Sequence, residues 1–334
     1  MTSLAPSSAA GQERTWFGHP RGLTILFLTE MWSEFSFFGM RTMLVYYMTQ
    51  QLLISQAHSS LIYGLYNSFA YFTPLLGGIA SDRWLGRRRA VLLGGGLMAA
   101  GHFMMAFEAS FYPALATIAF GNGLFLPSLA SQINELYVDD DPRKSIAYNI
   151  YYVGINLGGM LAPFVCGTVG ELWGWHWGFT LAGIGMVAGL VIYILGAPLL
   201  PTEQGAPRRA TADRTAGSGN CARLEPRIIL FLAVVLLLVI IYRSAYEQVG
   251  NTVALWAETG VDRRVGTWTI PMTWFQALNP LGIFLFTPIV LTWWSRRAAR
   301  GKDHSAVAKM ATGALILCAS FLLLSGAALH ASGS

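Results

Sequence analysis

The 334-residue chain is poor in charge: Asp, Glu, Lys and Arg together make up 12% of it, about half the share usual in soluble globular domains. A water-soluble fold is excluded on that ground, because too few ionised groups remain to cover its surface. Cysteine is scarce too. Cys166, Cys221 and Cys318 show neither CxxC nor metal-ligand spacing, so packing or linker roles are expected rather than disulfides or a metal centre. His58, His102 and His176 fall on different loops or spans, which suits packing or an interface better than a relay. No Ser-His-Asp order, phosphate loop or paired-cysteine site occurs, and neither an enzyme nor a bound cofactor or metal is expected. The opening MTSLAPSSAAGQERT lacks the basic-then-apolar order of a signal peptide.

What the chain has is apolar length. Hydrophobic residues make up 54% of it, gathered in runs close to the 20 or so residues that a membrane helix needs. An all-α membrane protein follows. Nine spans are predicted, at about 23–50, 61–80, 90–107, 113–137, 146–169, 179–199, 228–256, 270–294 and 306–329. The expected organisation is a polar leader (1–20), a six-span bundle (21–199), a linker (200–227) rich in Pro, Gly, Ala and Arg, and a three-span part (228–334). Leaving aside Arg41 and Arg243 inside spans, 18 of the remaining 20 basic residues fall in the leader or in loops after even-numbered spans. Lysine and arginine are retained on the cytoplasmic side, so the N-terminus is expected in the cytoplasm, in an inner (plasma) membrane. The net charge of +5 then needs no nucleic-acid partner; the expected surroundings are a lipid bilayer.

Within the first span, Thr29 to Arg41 reads TEMWSEFSFFGMR. Ionised groups inside the bilayer cost at least ~2.5 kcal/mol each, and they mark ion or substrate pathways. At about 100° per residue, Glu30, Glu34 and Arg41 share one narrow stripe. Glu108 and Glu135 sit at span ends, where reaching to water is the default.

After the second span comes Gly77-Gly78-Ile-Ala-Ser-Asp82-Arg83-Trp-Leu-Gly86-Arg87-Arg88-Arg89. Paired glycines let helices approach closely, Asp82 can bond a helix end or an arginine, and Gly86 turns the chain. This spacing resembles the signature loop of the major facilitator superfamily.

Five further stretches narrow the resemblance to the proton-coupled oligopeptide transporter family. They are Glu30 to Arg41, Tyr151-Tyr-Val-Gly-Ile-Asn156-Leu-Gly158, Gly121-Asn-Gly-Leu-Phe-Leu126-Pro127, Tyr246-Glu247-Gln248 and Gln276-Ala-Leu-Asn279-Pro280. The resemblance implies a proton-coupled symporter of di- or tripeptides or peptide-like solutes, working by alternating access between two six-helix halves, with protons as the coupling ion. It implies that Arg41 and Glu247 pair across the cavity, and that Glu30 and Glu34 take part in proton coupling. Tyr71, Asn156, Asn279 and Gln248, with Phe37, Phe38 and Leu126, match substrate-binding positions. For Tyr71, Asn156 and Asn279, bonds between helices are the competing role.

The chain also departs from the family pattern. Ser33 and Glu34 stand where the family has Glu then Arg, Phe37 and Phe38 replace two tyrosines, and Leu126 replaces a lysine. These changes keep open a carrier or exporter of a different, less anionic solute. Three spans rather than six follow the linker, so a truncated chain, in the extreme a non-transporting fragment, is expected unless oligomerisation or another polypeptide completes it.

Overall fold

The computed structural model describes residues 15–138, 140–201, 226–302 and 305–332. Cys221, most of the expected linker and most of the expected leader lie outside the described residues. The end of that leader is not without structure: β1 (Thr15–Trp16) pairs antiparallel with β2 (His19–Pro20). Trp16 packs on Phe27, and the His19 ring meets the Tyr137 hydroxyl at 2.8 Å.

The helices run in order α1 (Arg21–Tyr46), α2 (Gln56–Ala80), α3 (Arg87–Met104), α4 (Phe111–Glu135), α5 (Arg143–Ala162), α6 (Thr168–Trp173) and α7 (Trp175–Gly196), then α8 (Pro226–Tyr246), α9 (Thr252–Gly260), α10 (Trp274–Ala298) and α11 (Ala306–Ser332). A wider π-type turn, Pro163–Gly167, carries α5 into α6, so the two make one long crossing. Among the described residues, six stretches are long and apolar enough to cross a membrane on length and composition alone: 108–135, 143–173, 175–199, 226–260, 274–298 and 307–330. The first three expected spans form helices but miss that measure. In α1 the reason is its charged stripe.

Two differences from the sequence reading matter for the site. The seventh span is not one helix: it breaks at a tight 3₁₀ turn, Glu247–Gly250, before resuming as α9. The eighth begins at Trp274 rather than near residue 270, because β3 (Arg264–Val265) and β4 (Trp268–Thr269) first form a hairpin.

The core lies among α1 to α7, where α3 packs on α4, α1 on α5 and α7, and α2 on α4. One cluster gathers Met43, Tyr46, Tyr47, Phe111 and Phe179; another gathers Leu23, Leu26, Phe125, Leu129 and Met186. Cys166 is buried in the first, a packing role as expected. By contrast α8 buries no residue and α10 buries only Ala277 and Pro280. Their faces are apolar and suited to lipid.

Lipid is as apolar as leucine, so helices associate there by close approach and interhelical bonds rather than by escape from water. Gly77 shows this at α2 and α4: a Cβ added to it would lie 2.0 Å from the Gly123 carbonyl oxygen. Gly78, expected to share that role, does not, since its added Cβ would meet Pro127 at an ordinary 3.6 Å. Gly86 has φ of +77°, the left-handed region that glycine tolerates, and opens α3.

Candidate functional site

Arg41 lies in the last third of α1, and Glu247 at the break after α8. Between them runs an ion pair, Arg41 Nη2 to Glu247 Oε2, with side chains only 9% and 15% exposed. The helix break explains how the acid reaches it: ending α8 at Tyr246 frees Glu247 from the lipid-facing wall. Arg41 also donates from Nε to the Tyr63 hydroxyl at 3.0 Å, while its guanidinium lies 5.7 Å from the Phe38 ring centre. On the other side of Glu247, the Tyr71 hydroxyl donates to Oε1 at 3.1 Å. Arg243, one turn earlier on α8, donates to the same Oε1 at 2.9 Å and also bonds Tyr71. Buried pairs of this kind are costly to break one member at a time.

Around this cluster, bonds between the parts before and after the linker gather at the end where α1 finishes and α10 starts. The Tyr46 hydroxyl donates to the Ala254 carbonyl at 3.0 Å, Gln50 to Glu258 at 2.5 Å, Ser60 to Asn251 at 3.1 Å and Gln276 to the Thr42 carbonyl at 3.0 Å. Glu171 on α6 accepts from the main-chain N–H groups of Met272 and Thr273 at 2.9 and 2.8 Å. It thereby supplies an anion to the positive start of α10. Trp274 donates to Thr168 at 2.8 Å beside it.

Deeper along the helices is a cavity of about 540 Å³ lined by Tyr152 of α5 and by Tyr242, Tyr246, Asn279, Phe286 and Trp294 from the later part. Asn279 donates to the Tyr246 hydroxyl at 3.0 Å, bridging α10 and α8, so it both lines the cavity and makes an interhelical bond. Asn156 instead donates to the Tyr152 carbonyl on its own helix at 2.8 Å. Gln248, expected to meet solute, is engaged locally: it donates to the Ser244 carbonyl at 3.2 Å and accepts from Thr252 at 2.6 Å, tying together the two sides of the break. Phe37 stacks on Tyr66 with ring centres 6.4 Å apart, and Leu126 is half-buried on α4.

Glu30 is fully buried on α1, beside Tyr151 of α5. Glu34, one turn on, is partly buried.

At the other end of the bundle the residues after α2 meet partners the sequence did not name. Arg87 pairs with Glu135, exposed at the end of α4, and lies 3.9 Å from Asp82. Arg88 donates to the carbonyls of Ala197, Leu200 and Pro201 at 3.1, 3.0 and 2.9 Å, holding the segment that follows α7. Arg83 is exposed.

Four site residues thus escaped the sequence reading. Arg243 had a legible signal, its i,i+4 spacing to Glu247. Tyr63, Glu135 and Glu171 had none, since their partners lie 22, 48 and about 100 residues away.

Comparison with known proteins fits this geometry. The sequence model of the POT family matches residues 88–212 and 223–333. A di-/tripeptide transporter of Lactococcus lactis subsp. cremoris is 30% identical, covering 93% of this chain and 76% of the relative. The peptide transporter YePEPT of Yersinia enterocolitica is 29% identical over 96% and 76% of the two chains. Among solved structures, a POT family transporter in complex with 5-aminolevulinic acid superposes with a TM-score of 0.77 at 25% identity, covering 95% of this chain and 78% of that one. A mutant of peptide transporter POT in complex with alafosfalin gives 0.72 at 29% identity, covering 86% and 70%. With the family's sequence model matched along most of its length and a helical bundle that superposes on the family's solved structures, this chain belongs to the POT family, a family of membrane transporters.

Proposed function

We propose that the chain carries small peptides or peptide-like solutes across the inner (plasma) membrane together with protons, by alternating access, with its N-terminus in the cytoplasm. The observation that carries the reading is the ion pair between Arg41 and Glu247, which joins the part before the linker to the part after it. Two charges in low dielectric attract strongly, so the pair shuts the end where α1 finishes; on this orientation, that is the outside. The cavity lined by Tyr152, Tyr246 and Asn279 would then receive solute from the cytoplasmic side. Tyr71, beside Glu247, joins the gate to this solute site, and Phe37, Phe38 and Leu126 serve the solute elsewhere along the pathway, outside the lining of this cavity.

Proton coupling falls to Glu30 and Glu34, assisted by Glu247. A fully buried carboxyl group beside a tyrosine suits a proton that comes and goes, because intramembrane acids form proton relays. The POT relatives named as di-/tripeptide transporters support the substrate class. Uptake of a labelled dipeptide into vesicles reconstituted with the chain, followed as the external pH is lowered, tests the reading. Accumulation that rises with the inward proton gradient supports it; accumulation indifferent to the gradient overturns the coupling.

A further inference from the structure

Arg243 is more than the Glu247 gate requires. Arg41 already pairs with that carboxylate, and the next acid, Glu34, acts on Arg41 rather than on Arg243, so the immediate contacts of Glu247 hold two guanidinium groups to one carboxylate. The two arginines are not equivalent. Arg41 is buried, with Nε on Tyr63 and Nη2 on Glu247. Arg243 has a side chain 41% exposed, and both of its hydrogen bonds, to Tyr71 and Glu247, use Nη2. Guanidinium offers five N–H donors in a fixed fork, so the edge formed by Nε and Nη1 carries no hydrogen bond among the described residues.

That edge is held in place. The Arg243 guanidinium carbon sits 4.9 Å from the Tyr71 ring centre and 5.1 Å from that of Tyr246, and stacking of this kind fixes the plane of a guanidinium. Tyr246 in turn lines the 540 Å³ cavity with Asn279 and Tyr152. The position therefore combines a surplus cation, a fork pre-oriented by two rings, and an adjoining cavity of solute size.

We propose that Arg243 receives the carboxylate of the transported solute on this edge, between Tyr71 and Tyr246, and so selects solutes that end in a free carboxylate. This inference rests on the reading of the chain as a carrier of peptide-like solutes. It runs against the less anionic solute that Glu34 and Leu126 suggest. No covalent step is involved. Binding forms a fork-to-fork pair of N–H···O bonds, the geometry for which arginine is the preferred residue.

The test compares two probes differing only at that end, L-alanyl-L-alanine and L-alanyl-L-alaninamide. Affinity is read from ligand-induced thermal stabilisation of the purified chain in detergent. The unsubstituted chain should bind the free acid about tenfold or more tightly than the amide, the order expected for a charge-assisted bond. Arg243→Gln should bring the ratio close to one, while Arg243→Lys, which keeps the charge without the fork, should keep part of the preference. A ratio near one in the unsubstituted chain, or a preference unchanged in Arg243→Gln, overturns the assignment. If Arg243→Gln does not fold, a preference for the amide in the unsubstituted chain, or none in Arg243→Lys, still overturns it. Binding of neither probe contradicts the peptide-carrier reading itself, and this inference falls with it.

Discussion

The Glu171 carboxylate accepts the hydroxyl of Thr273 at 2.6 Å and its main-chain N–H at 2.8 Å, joining the end of α6 to the start of α10. Arg263 stands 3.9 Å from the same carboxylate. The contact lies on the same end of the bundle as Gln50 and Glu258 but shares no residue with the ion pair between Arg41 and Glu247. This end is therefore held by the ion pair and, separately, by this second contact, alongside the bonds of Tyr46, Gln50, Ser60 and Gln276.

Removing the second should loosen that end and leave the first in place. Bonds to a charged group contribute about 1.5–3 kcal/mol, so Glu171→Ala should raise the population open at this end by roughly tenfold or more. Electron–electron distance measurements between spin labels at Gln51 and Asp262 read this directly. A new long-distance population is expected, and an unchanged distribution would count against the fastening.

Close approach of α2 and α4 makes a contrasting pair of substitutions. Gly77→Val drives side-chain atoms into the Gly123 backbone, and overpacking of this kind costs about 1–3 kcal/mol or more. It should lower the melting temperature in detergent or prevent monodisperse expression. Gly78→Ala should be silent, since its methyl group meets Pro127 at an ordinary distance. Equal effects at the two positions would contradict the packing described.

A third prediction concerns pH at the hairpin of β1 and β2. Hydrogen bonds from the Arg143 side chain and main-chain N–H hold the Asp141 carboxyl below its ordinary value, and Arg143 reaches on to the Gly18 carbonyl at 2.9 Å. A carboxyl lowered in the folded state contributes stability that is present above its unfolded value and lost as pH falls through its folded one. Protection of the amides of residues 15–20, taken relative to the unfolded exchange rate at the same pH, should accordingly fall in acid, and Asp141→Asn should lower it already at neutral pH. Protection unaltered in Asp141→Asn would show that Arg143 holds the hairpin without its acid.

How far the site was legible depends on how far apart its partners lie and on what marks them. Arg41, Glu30 and Glu34 stood out because a charge in an apolar run is costly, whereas Glu247 and its distant match to Arg41 came with the family resemblance. The break that aims Glu247 inward was invisible, since apolar residues continue on both sides of Glu247–Gly250. Glu171 carried no mark in the sequence because its partner is backbone about 100 residues later, and backbone has no sequence signature. Arg243 was counted only as an intramembrane base. Its spacing to Glu247 pointed to a pair, but the rings of Tyr71 and Tyr246 that orient it come from the fold. At the loop motif, Arg87 was legible as an arginine for Asp82, whereas its closer partner Glu135 became visible only once α4 was packed beside α3.

The central claim is that the pair formed by Arg41 and Glu247 gates a proton-driven carrier. Its most direct measurement is concentrative uptake of labelled L-alanyl-L-alanine into proteoliposomes under an imposed inward proton gradient, for the unsubstituted chain, Arg41→Ala and Glu247→Gln. Accumulation by the unsubstituted chain that collapses in both variants is the predicted result; accumulation undiminished in both would contradict the gate.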